Sequence, residues 1–234
     1  MTRVVTAILT LIAFTMLGDR LFADEPDDKS ENIVILDQLR SATQAEGLDA
    51  WRRIYGVFSH PRCVNCHVGE TNIPLWTSSD GSTTRAHGMR INAGDSRIGA
   101  ETLLCSNCHQ TTNKPNTVPH AAPHTGMIWR LAPVEFQWTN RDSLQICEQV
   151  RNPETNGGRD ARGLIDHIVH DASLFGFISW GFDPGPGRST PPGTIQTHLE
   201  DMKIWVSAGM PCLASESPSA TLGGSMRKTG TLSK

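Results

Sequence analysis

Two copies of one short motif could do most of the chemistry in this sequence. Residues 63–67 read Cys-Val-Asn-Cys-His and residues 105–109 read Cys-Ser-Asn-Cys-His. This Cys-x-x-Cys-His spacing is the attachment signature of c-type haem. Two thiols bond covalently to one haem, and the adjacent imidazole then ligates its iron. We therefore predict two covalently bound haems, one at a first centre (Cys63, Cys66, His67) and one at a second centre (Cys105, Cys108, His109).

Two other chemistries use paired cysteines. Two Cys-x-x-Cys pairs can hold one zinc ion, and a single pair can act as a redox dithiol. The zinc interpretation leaves both histidines that follow the pairs unexplained. A redox dithiol usually lies on a βαβ frame, which this sequence does not indicate. Haem attachment is the interpretation that uses every residue of both motifs.

A haem that only carries electrons needs a second axial ligand, and His or Met can supply it. In the segment between the two motifs, only His87 and Met89 have side chains of these kinds. We therefore assign His87 to the haem of the first centre, with Met89 as the alternative. Two histidines should hold the potential below that of a His–Met cytochrome, because Met raises it.

A second pair of histidines lies on a predicted helix. His167 and His170 are three residues apart, so they share one helix face, opposite the apolar stripe within residues 164–169. Asp171 follows His170, and a carboxylate beside a ligating imidazole orients it and raises its basicity. We assign His170 to the haem of the second centre, with His167 and Met127 as alternatives.

The remaining cysteines, Cys147 and Cys212, belong to no motif. In an oxidising compartment two such thiols are expected to form a disulfide. A thiolate haem ligand is the functional alternative.

Composition limits the class of protein. The chain has 234 residues, of which 38% are hydrophobic, 6% aromatic and 19% charged, with 21 Gly and 14 Pro. These values argue against a coiled coil and a multispan membrane protein. The net charge of −3 gives no sign of the basic face that a nucleic-acid partner requires. A loop-rich globular protein remains, with too few apolar side chains for its size, and a buried prosthetic group would supply the missing apolar mass.

The chain divides into four segments. Arg3 and the apolar run over residues 4–17 indicate a secretory signal peptide over residues 1–23, and this 14-residue run is too short to span a bilayer. Residues 24–48 are an acidic, weakly helical linker, residues 49–213 the di-haem domain, and residues 214–234 a disordered tail. Apolar periodicity predicts helices over residues 48–58, 141–151, 159–173 and 195–207. No alternation is long enough to predict a sheet, so we expect an all-α, loop-rich, cytochrome c-like fold.

The sequence resembles a family of small di-haem c-type cytochromes often labelled isoquinoline 1-oxidoreductase subunits. The resemblance covers about residues 50–213. It depends on the order of Trp51, 60–67, 105–109, 131–133, 146–147, 156–159, His167, 170–171, 180–182 and 184–188.

The resemblance implies a periplasmic cytochrome that takes electrons from a molybdenum hydroxylase or another dehydrogenase and passes them to the respiratory chain. Cys147 and Cys212 match family positions, which favours the disulfide, and His87, His167 and His170 also match. Residues 127–130 depart from the family pattern, in which a His usually precedes Leu-Ala-Pro. A di-haem oxidase or peroxidase with one open iron is the alternative function.

Overall fold

The computed structural model describes residues 41–213. The predicted signal peptide, residues 24–40 of the predicted linker and the predicted tail lie outside the described residues. Regular structure in the described part consists of α1 (Gln44–Phe58), α2 (Pro61–Val64), β1 (Leu75–Thr77), β2 (Thr84–Ala86), α3 (Ser143–Arg151), α4 (Ala161–Leu174), α5 (Phe177–Phe182) and α6 (Ile195–Ser207). Short 3-10 helices lie at Gly69–Thr71, Gly88–Arg90 and Cys105–Asn107.

The protein is helix-rich, as predicted, and each of the four predicted helices is present. α1 begins four residues earlier than expected, because Thr43 and Glu46 form a capping box in which each side chain bonds to the other's backbone. The expectation of no sheet is wrong at one place, where β1 and β2 pair antiparallel. The short helices α2 and α5 were also not predicted.

The main core lies between α1 and α6. Trp51 and Trp205 are fully buried there, with ring centroids 5.1 Å apart. The indole of Trp51 donates a hydrogen bond to Ser143 Oγ at 2.8 Å, which ties α3 to the same core. The predicted disulfide between Cys147 and Cys212 is present, with the Cα atoms 5.7 Å apart, and it joins α3 to the segment that follows α6.

A second, smaller core supports the loop-rich part of the protein. Val68, Ala93 and Leu131 are buried together, and Cys66 and Leu75 pack against them. No helix within residues 41–213 combines the length and the apolar character needed to cross a membrane. Between α2 and α3 the chain is mostly irregular; the first Cys-x-x-Cys-His motif begins within α2, and the second lies in this irregular region.

Candidate metal centres

Each motif folds as one helical turn. In the first centre, His67 N–H donates to Cys63 O at 3.3 Å, and in the second, His109 N–H donates to Cys105 O at 2.9 Å. This i to i+4 bond brings the two cysteines and the histidine of a motif to one face of the turn. At the first centre, His60 starts the turn, because its Nδ1 accepts from Arg62 N–H at 3.2 Å.

The two motif histidines have the same hydrogen-bond arrangement. His67 Nδ1 lies 2.8 Å from Phe136 O, and His109 Nδ1 lies 2.7 Å from Pro123 O. A carbonyl oxygen can only accept, so Nδ1 carries the proton in both rings. In neutral imidazole the other nitrogen, Nε2, then holds a free lone pair, the state in which histidine ligates a metal.

Burial keeps both imidazoles neutral. It lowers the pKa of His67 to about 4, and the positive charges of Arg97 and His167 act in the same direction. Burial also lowers the pKa of His109 to about 4, with smaller contributions from His87 and Arg188. At neutral pH both rings are therefore lone-pair donors rather than cations.

A tryptophan stacks on each motif histidine. The rings of His67 and Trp138 are 3.6 Å apart and inclined by 5°, and those of His109 and Trp129 are 4.2 Å apart and inclined by 14°. Both tryptophans are buried. Sequence reasoning missed this pair, although six tryptophans among so few aromatic residues were a signal that they had a special role.

His87 lies beside His109 of the second centre, not at the first centre to which the sequence assigned it. The two ring centroids are 6.0 Å apart, and the rings are inclined by 50°. Two imidazoles on opposite sides of one metal ion would have centroids about 6.2 Å apart, given metal–nitrogen bonds of about 2.0 Å. His87 Nδ1 lies 3.0 Å from Gly88 O, so its Nε2 is also free to ligate.

The β-hairpin explains this position of His87. Leu75 N–H donates to Asn65 O at 2.8 Å, which fastens β1 to the first motif. β2 then returns antiparallel to β1, and His87 directly follows it, with its N–H donating to Pro74 O at 2.8 Å. The hairpin thus starts beside the first centre, and His87, which follows it, lies beside His109 of the second centre.

At the first centre, the second histidine that interacts electrostatically with His67 is His167. Its charge contributes to the lowered pKa of His67, which places the two rings within electrostatic range of each other. His167 and His170 are both exposed on α4. The sequence assigned His170 to the second centre, and its carbonyl accepts from Ser173 Oγ at 2.7 Å. Within residues 41–213, the ring contacts of His109 are with His87 and Trp129, and none is with His170.

Asp171 has a different role from the one predicted. It is buried, and its carboxylate accepts from Ile178 N–H at 3.1 Å and from Ser179 N–H at 2.8 Å. These groups belong to the first turn of α5, whose backbone N–H groups have no partners within the helix. Asp171 therefore fixes the start of α5 instead of orienting His170.

The two methionine alternatives lie at other sites. Met89 is 78% exposed. Met127 packs at the corner between α4 and α5, where a side chain added at Gly176 would lie 2.8 Å from its sulfur.

The thiols of the first motif are unlike those of a reactive dithiol. All four are unbridged, and burial raises the pKa of Cys63 to about 12 and that of Cys66 to about 11. Redox dithiols need the opposite, a lowered thiol pKa. Nor does the described part of the chain bring three His, Cys, Asp or Glu residues together as a metal site. A zinc ion needs four ligands, whereas a haem takes only axial ligands from the protein.

One cysteine of each centre interacts electrostatically with the other. A charge on Cys105 contributes to the raised pKa of Cys66, so the attachment residues of the two motifs are within electrostatic range.

The chain matches no known protein family, curated protein or solved structure. Its own residues must therefore support any functional assignment.

Proposed function

We propose that this protein is a di-haem c-type cytochrome that carries electrons between redox partner proteins. One observation carries the proposal. In both Cys-x-x-Cys-His motifs the histidine is neutral, its Nδ1 proton is held by a backbone carbonyl, and its Nε2 is free. This is the tautomer that a haem iron requires of a proximal ligand, and it occurs twice, directly after a pair of unbridged thiols.

The residues of each centre would divide the work in the same way. The cysteines would hold the haem covalently, and the carbonyls of Phe136 and Pro123 would fix the rotation of the proximal rings. Trp138 and Trp129 would shield those rings from water. Bound haem supplies a reversible one-electron couple, and the protein tunes it through ligands, hydrogen bonds and burial.

A histidine near each proximal ring favours a carrier over an enzyme. His87 lies 6.0 Å from His109, close to the spacing that one metal ion would set between two rings, and His167 lies near His67. With both axial positions filled, neither iron keeps an open position for a substrate. We therefore propose His87 as the second ligand of the second centre and His167 as that of the first.

The proposed setting follows from the resemblance and from the disulfide. The resemblance supplies a donor, a molybdenum hydroxylase-type dehydrogenase, and an acceptor in the respiratory chain. The bond between Cys147 and Cys212 suits an oxidising compartment, and we propose the periplasm, reached after removal of a signal peptide. The fold would be a loop-rich, cytochrome c-like arrangement around both haems.

Haem attachment is tested by intact mass and the pyridine haemochrome spectrum of the purified protein. Two covalent haems per chain are expected, and the double change of Cys105 and Cys108 to Ala should leave one. Haem that acid–acetone extraction removes from the wild-type protein would contradict the proposal.

The optical spectrum separates the carrier from the alternative enzyme. Two low-spin haems that do not bind carbon monoxide are expected of a carrier. One high-spin haem that binds carbon monoxide readily would instead favour the oxidase or peroxidase alternative.

A further inference from the structure

Three buried side-chain atoms of the described residues could donate hydrogen bonds but have no acceptor. Arg62 Nε, Trp180 Nε1 and Ser189 Oγ are all buried, and none has a partner. Trp180 is only 6% exposed. A buried donor left unpaired costs about 1–3 kcal/mol, so such a group usually has a partner.

Two of these donors, those of Arg62 and Trp180, belong to one cluster with Arg188. The Arg62 guanidinium carbon lies 5.8 Å from the Trp180 ring centroid. The charge of Arg188, which precedes Ser189, contributes to the lowered pKa of Arg62, although burial is the larger cause. The two arginines are thus close enough to repel each other. Among residues 41–213, neither forms an ion pair with a carboxylate.

The cluster is tied to the second centre. Trp180 contacts Trp129 edge to face, with centroids 5.2 Å apart, and Trp129 stacks on His109. The charge of Arg188 also contributes to the lowered pKa of His109. Arg188 is held in place by the carbonyls of Pro184, at 3.1 Å, and Ala121.

We propose that Arg62, Trp180 and Arg188 form a carboxylate-binding site that takes a propionate of the haem at the second centre. Two cations and an indole N–H match the charge and the acceptor oxygens of a carboxylate. The anion would satisfy the unpaired donors and remove the repulsion between the arginines. This inference rests on the proposed function, because that function supplies the propionate.

The test compares Arg188→Gln and Arg62→Gln with the wild-type protein by spectroelectrochemistry and resonance Raman spectroscopy. Both variants should keep two covalent haems. The midpoint potential of one haem should shift downward, since a positive charge near it is lost, and its propionate bending band should move. Arg188→Lys should keep the midpoint potential close to the wild-type value, because it keeps the positive charge. Arg151→Gln, which removes a surface arginine paired with Glu148, should change neither signal.

The outcomes separate this site from the proposed function. A protein without covalent haem contradicts the function itself. Two covalent haems with unchanged potentials and propionate bands in both Gln variants overturn the propionate site alone.

Two further measurements identify the source of the carboxylate. In a variant with Cys63 and Cys66 changed to Ser, which keeps only the second haem, Arg188→Gln should still lower the potential. If Arg188→Gln lowers the potential only in the variant with Cys105 and Cys108 changed to Ser, which keeps only the first haem, the assignment to the second centre is overturned. Added acetate should not shift the wild-type potentials, whereas a saturating shift would show a site open to solution anions.

Discussion

The ligand pairing at the second centre predicts the effect of removing one imidazole. His87→Ala should turn one of the two haems high-spin in the ferric protein. The high-spin form should then account for about half of the haem absorbance. The ring centroid of His87 lies 6.0 Å from that of His109. The neighbouring Met89 is 78% exposed and has a positive φ. Nothing adjacent is therefore placed to replace it.

The assay is the optical and electron paramagnetic resonance spectrum of the ferric protein. Single-haem variants locate the effect: with Cys63 and Cys66 changed to Ser, His87→Ala should convert all remaining haem to high spin. With Cys105 and Cys108 changed to Ser, it should have no effect on spin.

A matched control uses the same residue type elsewhere. His170→Ala should leave both haems low-spin, because the rings that contact His109 are those of His87 and Trp129 and not that of His170. His167→Ala should act on the first centre only. If His87→Ala leaves both haems low-spin, the pairing of His87 with His109 through iron is refuted. A near-infrared thioether–iron band that disappears on changing Met89 would refute it too.

Three further predictions concern stability. Replacing Cys147 and Cys212 by Ser opens a loop of 65 residues and should lower the free energy of unfolding by about 4 kcal/mol in denaturant titrations; an unchanged midpoint would contradict this. Burial lowers the pKa of His198 from 6.5 to about 4. As the pH falls, the unfolded chain therefore takes up a proton at this residue before the folded protein does. Stability should therefore be full above pH 6.5 and fall by up to about 3 kcal/mol as the pH drops toward 4, and His198→Phe should remove that part of the fall. Asp171→Ala should cost about 2 kcal/mol by leaving the first turn of α5 without its acceptor, and Asp171→Asn should cost less because it keeps one oxygen.

The sequence predicted the features that depend on local pattern. The spacing of the residues alone identifies both motifs. The main helices have an apolar periodicity, because each of them buries one face in the core. α6 has the predicted bounds, because Thr194 caps its first turn and Gly209 follows its end with positive φ.

The position of His87 beside His109 could not be predicted, because it depends on where the loops fold back. The sequence assigned His87 to the nearer motif. A hairpin of two three-residue strands carries it to the other one, and strands so short leave no usable alternation. Asp171 was placed with His170 on a polar face, since nothing in the sequence indicated that the six residues of α5 formed a helix in need of an acceptor. The stacked tryptophans depend on tertiary contacts in the same way.

The positions of the surrounding residues along the chain bear on the order in which the two centres can be completed. The groups that contact His109, namely His87, the carbonyl of Pro123 and Trp129, all lie within one continuous stretch, whereas the proposed propionate site draws its residues from outside it. The first motif lies before that stretch, but Phe136, Trp138 and His167, which surround its histidine, come after it. A chain that emerges from its N-terminus therefore exposes the first motif early, yet it completes the contacts of His109 before those of His67. The contacts of His67 are complete only when α4 has been made.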